Sequence, residues 1–297
     1  MIRSIIVSLS LLCTLSVAAD SVLLEKRSVY SNIIVKKSGS VVCLLFSVRK
    51  DQRNQSCINT RRPKAMVFAY TRMSMAALLF NDNPSNILVI GLGGGTLPTA
   101  LSELYPQAEI DSIEIDPAVV SVAQEFFGYH LSDNQRIHTQ DARIWVRRAN
   151  LNKRRFDIII LDAFNGEYIP EHLMTEEFFT ELNQMLTDDG VLISNTFSIS
   201  ALYDHESATY ASVFGPFINF QLAESANRVV VAAKMEVSDE IIKARAKTLQ
   251  DQLRPYSVPI KRYAKLLIRQ RGDDPDWDTE ARILTDQYAP ANLLKTR

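Results

Sequence analysis

Apolar residues along this chain fall into two kinds of pattern. From Ser28 to Asn59 they come in short β-branched and aromatic stretches, Val29 to Val35 and Val41 to Phe46, around the turn Lys37-Ser-Gly-Ser40. That arrangement predicts a hairpin within a small antiparallel unit. From Ile87 onward, short apolar runs alternate with amphipathic segments. The runs at Ile87–Ile90, Ile110–Ile113, Arg136–His138, Phe156–Leu161, Gly190–Ser194, Phe217–Leu222 and Arg228–Ala232 predict strands. Helices are predicted at Leu97–Leu104, Pro117–Phe127, Ala142–Arg148, Thr175–Leu186 and His205–Phe214, several of them opened by proline or a hydroxyl residue. Strand-helix alternation of this kind argues an α/β fold with a mostly parallel sheet covered on both faces. Between the two patterns, Ala65 to Phe80 is rich in Met, Ala and Leu and suits a helix. After Val237 the pattern predicts one long charged helix to about Leu253, then an irregular proline-containing tail. The expected division is a leader over 1–19, a small β-domain over 20–64, a Rossmann-like domain over 65–236, and a C-terminal helix and tail over 237–297.

Composition adds limits. A chain of 297 residues with 46% hydrophobic content is an ordinary globular one, long enough for one large domain with an appendage. With 33 basic and 34 acidic side chains the formal charge is −1, so no global field points to nucleic acid or an anionic membrane. The cations at 147, 148, 153, 154 and 155 read as a solvated loop flank. Met1-Ile-Arg3, the apolar run from Ile5 to Ala19 and the small residues Val17-Ala-Ala19 before Asp20 predict an export signal and a periplasmic or secreted protein. An uncleaved anchor is the alternative, although the run is short against the roughly 20 apolar residues a span needs. Beyond the leader only Cys43 and Cys57 remain, which makes either a disulfide or two buried thiols. No Cys/His cluster has metal-ligand spacing, and no metal is expected.

The chemistry gathers where ligands bind in open α/β sheets, at the carboxyl ends of strands. After the first run, Gly91, Gly93, Gly94 and Gly95 would let backbone N–H groups approach a ligand ahead of an electropositive helix N-terminus. The next strand ends in Glu114-Ile-Asp116-Pro, roughly 20 residues on, where a carboxylate can accept both hydroxyls of a ribose. The third is followed by Gln140-Asp141-Ala142. Asp141 has two readings, acceptor from an exocyclic amine such as that of adenine, or helix N-cap. The fourth ends in Asp162-Ala-Phe-Asn165-Gly-Glu167, where an acid can take a proton from an incoming nucleophile; turn formation is the alternative use of such residues.

Read in order, these residues resemble the spermidine/spermine synthase family of polyamine aminopropyltransferases, over about Ser28 to Lys234 and most closely from Ile87 to Thr196. The resemblance implies a methyltransferase-type seven-stranded Rossmann-like sheet preceded by a small N-terminal β-domain. It also implies transfer of an aminopropyl group from decarboxylated S-adenosylmethionine, as co-substrate, to a small amine such as putrescine. It assigns Gly91, Gly93, Gly95, Glu114, Asp116, Asp141 and Ala142 to the donor, and Asp162 to proton acceptance. Phe68-Ala-Tyr70-Thr-Arg-Met73 is similar to a Phe-Ser-Tyr-Gln-Glu-Met segment of the family, which places Tyr70 with Asn165 and Glu167 on the amine side. The chain departs from the family at Gly94 and Asn165, where relatives carry Asp, and at Thr71 and Arg72, where they carry Gln and Glu. Glu167, Glu171, Asp204 and Glu206 are the acids available to compensate, and Asp286 with Tyr288 either returns to the pocket mouth or docks as a capped tail. Two other readings use the same nucleoside-binding residues: a methyltransferase, and a non-catalytic polyamine- or nucleoside-binding protein. A homodimer is left open.

Overall fold

A computed structural model describes residues 20–48, 51–164 and 169–289, without the side chains of 47, 48 and 51–53. The leader, Asn165 and Glu167 lie outside the described residues.

Four strands, β1 (Ser21–Arg27), β2 (Asn32–Ser38), β3 (Val41–Val48) and β4 (Asp51–Asn59), make an antiparallel meander in sequence order. The predicted hairpin is its β2–β3 centre. Its edges were not readable as strands, for reasons visible in the structure. β1 is almost wholly exposed, and β4 runs Asp-Gln-Arg-Asn-Gln-Ser-Cys-Ile-Asn with no alternation. Val29, read as strand, sits in the β1–β2 turn and is 94% exposed.

The larger sheet has seven strands: β5 (Asn86–Ile90), β6 (Glu109–Glu114), β7 (Gln135–Thr139), β8 (Phe156–Leu161), β9 (Leu186–Phe197), β10 (Ile218–Gln221) and β11 (Asn227–Ala233). Their order is β10-β11-β9-β8-β5-β6-β7, parallel from β9 to β7, with β11 and β10 antiparallel at one edge. Consecutive residues of β5 and β8 feed opposite faces. Ile87, Val89, Ile158 and Ile160 join one core, while Leu88, Ile90, Ile159 and Leu161 join the other. Burial on both sides is why these strands read as unbroken apolar runs.

The first core is covered by α2 (Thr96–Leu104), α7 (Asp239–Leu253) and α8 (Ile260–Arg271), the second by α4 (Ala142–Leu151), α5 (Glu176–Met185) and α6 (Tyr203–Phe214). α3 (Pro117–Phe126) carries the small sheet: Ala118, Val119, Val122 and Phe127 pack on Ile33, Val35, Val42 and Leu44.

Two helical expectations are corrected. Ala65 to Phe80 is not one helix but α1 (Ala69–Ser74) followed by a 3₁₀ turn over Met75–Leu79. Met73 to Phe80 is buried throughout, so tertiary packing sets its path and no solvated face holds it helical. The tail beyond Leu253 contains α8. Pro255 and Pro259 look like breakers, but Pro259 stands at the N-cap, where its missing N–H costs nothing. Ile260, Tyr263, Ala264 and Leu267 then form a buried stripe.

Candidate active site

β5 is the strand at which the order reverses: β6 and β7 are laid down on one side of it, then β8 and β9 on the other. A crevice opens at its carboxyl end. The ends of these strands are locked together by backbone. Gly91 N–H donates to Ile113 O and Asp162 N–H to Ile90 O, each at 2.8 Å. Gly91 adopts φ 95°, and a Cβ there would lie 2.1 Å from the carbonyl oxygen of Asp162. The glycine is therefore required by the strand carrying the acid as well as by any ligand.

Glu114 ends β6 with both oxygens held by backbone, Oε2 by Leu92 N–H at 3.2 Å and Oε1 by Asp116 N–H at 3.0 Å. Burial raises its pKa; those N–H groups oppose the rise and the Asp116 charge adds to it. Asp116 caps α3 through Ala118 N–H at 2.9 Å, and its other oxygen accepts from Ser28 Oγ at 2.5 Å. Asp141 caps α4 through Ile144 N–H at 3.0 Å while its second oxygen meets His172 Nε2 at 2.9 Å. Capping is thus one of its roles, and it lines the cavity at the same time.

Asp162 begins the loop after β8. Burial pushes its carboxyl up to about 6, against the lowering effect of Asn195, whose Nδ2 donates to Oδ1 at 2.8 Å. Tyr70, on α1, shares this part of the cavity and donates its hydroxyl to Gln55 O at 3.1 Å. Burial, and secondarily the Asp162 charge, hold the phenol well above its ordinary pKa, so it stays protonated.

The opposite wall comes from the small sheet: Tyr30 and Ser31 from the β1–β2 turn, Phe46 from β3, Gln55 and Ser56 from β4. Next to Ser56, Cys57 faces Cys43 across β3 and β4, and the two form a disulfide. Ser56 also explains Gly94. A Cβ at 94 would lie 2.7 Å from both Ser56 Oγ and Phe127 Cδ1, so the space a glycine-loop acid would need is already filled.

The cavity gathers Tyr70, Gly91, Gly93, Glu114, Asp116, Asp141, Ala142 and Asp162. Gly95 lies outside it; its α-left conformation starts α2, and a Cβ there would strike Tyr129. Glu171, Asp204 and Glu206 are also outside: Glu206 is buried against Arg228 at 3.0 Å, and Asp204 accepts from Asp278 N–H. Asp286 docks the tail, pairing with Arg143 at 2.5 Å and accepting from Thr175, while Leu284 is fully buried. Four residues that reasoning from sequence did not single out are Gln55, Ser56, His172 and Asn195. The first two sit in an aperiodic polar strand, and the last two come from distant segments that only the fold brings near. Four carboxylates line the cavity and, among the described residues, no lysine or arginine does. Among the described residues no group of three or more His, Cys, Asp or Glu could hold a metal ion.

Residues 67–229 match the model of the "Spermine/spermidine synthase domain" family. The chain is 46% identical to the "Polyamine aminopropyltransferase" of Vibrio vulnificus (strain CMCP6), with 99% of each chain covered. Among solved structures, a probable spermidine synthase from Corynebacterium glutamicum ATCC 13032 superposes with a TM-score of 0.63 at 20% identity, covering 86% of this chain and 96% of that one. Human Methyltransferase-like protein 13, in complex with SAH, superposes with a TM-score of 0.54 at 22% identity, covering 76% and 100%. At such identities both superpositions speak for the fold.

Proposed function

Because this chain belongs to the spermine/spermidine synthase family, we propose that it transfers the aminopropyl group of decarboxylated S-adenosylmethionine to a small polyamine acceptor. The observation that carries this reading is the cavity's charge. Both reactants are cations, a sulfonium with a terminal ammonium and an amine, and the lining offers Glu114, Asp116, Asp141 and Asp162 with no opposing lysine or arginine among the described residues. S-adenosylmethionine itself would bring a carboxylate into that field.

Glu114 would accept the ribose hydroxyls with the lone pairs its backbone donors leave free, and the glycine turn would let backbone reach the nucleoside. The acceptor nitrogen attacks the aminopropyl carbon attached to sulfur; the C–N bond forms as that C–S bond breaks, and the electron pair leaves on sulfur as methylthioadenosine. The sulfonium is already a good leaving group, so what remains for the protein is orientation and removal of the amine proton. Asp162 takes that proton, and a carboxyl near 6 is mostly ionised at neutral pH yet a better base than an ordinary aspartate.

The test is incubation with both forms of the adenosyl donor and a panel of di- and polyamines. Amine-dependent methylthioadenosine is expected. Adenosylhomocysteine instead would make the protein a methyltransferase on the same fold, and saturable binding without either product would make it a binding protein. We also infer export. The Cys43–Cys57 disulfide suits an oxidising compartment, and recovery of both thiols in reduced form from the cytoplasmic fraction of intact cells would overturn it.

A further inference from the structure

Asp162 is engaged by one asparagine that is itself held by a second, and neither lines the cavity. Asn195, near the end of β9, is 1% exposed; its Nδ2 donates to Asp162 Oδ1 at 2.8 Å. Asn227, the first residue of β11, donates its own Nδ2 to Asn195 Oδ1 at 3.0 Å. In the antiparallel register Asn195 faces Val229 and Asn227 faces Phe197, so the two asparagines are diagonal neighbours on one face of the sheet.

We propose that Asn195 and Asn227 are a positioning relay for the base: Asn227 fixes the orientation of the Asn195 amide, and Asn195 holds Asp162 by Oδ1, leaving Oδ2 to take the proton. The inference rests on the aminopropyl-transfer reading for what that proton is. An asparagine amide has a donor end and an acceptor end. Turned over, Asn195 would set its carbonyl against a carboxylate and its NH2 against the NH2 of Asn227, and for an amide that is itself buried an unmet polar group costs about 1 to 3 kcal/mol. Only one orientation satisfies both neighbours, and in it the carboxylate meets a donor. The relay therefore sets the angle of the base and favours its ionised form. The other titratable groups on the cavity are Tyr30 from the β1–β2 turn, Tyr70 from α1, Glu114 and Asp116 at the end of β6, Asp141 before α4, and His172 in the 3₁₀ turn Glu171–Leu173. The Asp162 charge adds to the rise that burial imposes on the Tyr70 phenol.

The experiment is the pH profile of kcat/KM for wild type, Asn195→Ala and Asn227→Ala on either side of pH 6, joined to carbon-13 NMR titration of the Asp162 carboxyl, assigned by its loss in Asp162→Asn. The expected result is an acid limb displaced upward by about one pH unit in Asn195→Ala, about tenfold in rate on the acid side. A smaller displacement in the same direction is expected in Asn227→Ala, with donor KM held. Uniform loss of rate at every pH with an unmoved limb and an unmoved carboxyl midpoint would assign both asparagines a merely structural role and overturn the relay. Should Asn195→Ala fail to fold, Asn227→Ala decides by the same shift. Should wild type release no methylthioadenosine, the reading of the reaction fails while the carboxyl titration still decides the relay.

Discussion

One side of the cavity is built from the ends of β5, β6 and β8, the other from β4 and the β1–β2 turn, and different physics holds each in place. The strand ends are fixed by parallel ladders buried on both faces and by short backbone bonds between neighbours, as at Gly91–Ile113 and Asp162–Ile90. The cover is a four-stranded meander with an exposed edge, attached through apolar packing on α3 and hydrogen bonds from Ser28 to Asp116 and from Tyr70 to the Gln55 carbonyl, and stiffened by a cross-strand disulfide. The proposed chemistry uses the first side and the enclosure comes from the second. Substitutions on the strand ends should therefore remove turnover or donor binding, and substitutions on the cover should act mainly on stability.

The largest effect expected is from Asp162→Asn, which keeps the shape and removes the proposed base. Methylthioadenosine release should fall by roughly 10² to 10⁴. In wild type the same group sets an acid limb: kcat/KM should drop about tenfold per pH unit below pH 6, where the carboxyl is protonated. Its stability effect has the opposite sense. The folded pKa, about 6, lies above the unfolded value near 3.8, so the native state binds this proton more tightly, and acidification through that window favours the folded form as far as this group is concerned. A limb absent near pH 6 would show that another group takes the proton.

Glu114→Gln comes next. Loss of a charged acceptor for the ribose should raise donor KM by about tenfold or more, at about 1.5 to 3 kcal/mol for a hydrogen bond to a charged group, with kcat far less affected. Gly94→Asp tests the border between the two sides. The new side chain meets Ser56 and Phe127, so it should lower the melting temperature and fail to raise activity; a gain in rate would show that the cover yields more readily than its packing indicates. The smallest effect on catalysis is expected from Cys43→Ser with Cys57→Ser. Stability should fall by about 2 to 4 kcal/mol, read by denaturant titration, while donor KM stays close to wild type. A large KM change would mean that the cover takes part in donor binding.

The same division governs how much could be read in the sequence. The strand ends were legible because the apolar runs of β5 and β8 locate them, and Gly91, Glu114, Asp141 and Asp162 follow directly. The cover was not. β4 has no alternation to mark it, and its contribution of Gln55 and Ser56 depends on pairing with β3 and on the dock against α3. Asn195 was hidden for another reason: its neighbours Asp162 and Asn227 are 33 and 32 residues away, and only the β9 register puts them in reach. The tail read as irregular because of its prolines, yet Pro259 is the N-cap of α8.

The contact between Gly91 and the carbonyl of Asp162 also limits how the protein can diversify. The glycine turn and the loop bearing Asp162 are bound to change together, since any side chain at 91 would push that loop out of line. Altered amine selectivity, whether reached by selection or in the laboratory, is expected instead from changes on β4 and at the start of α1, where Gln55, Ser56 and Tyr70 meet the cavity away from the Gly91–Asp162 contact.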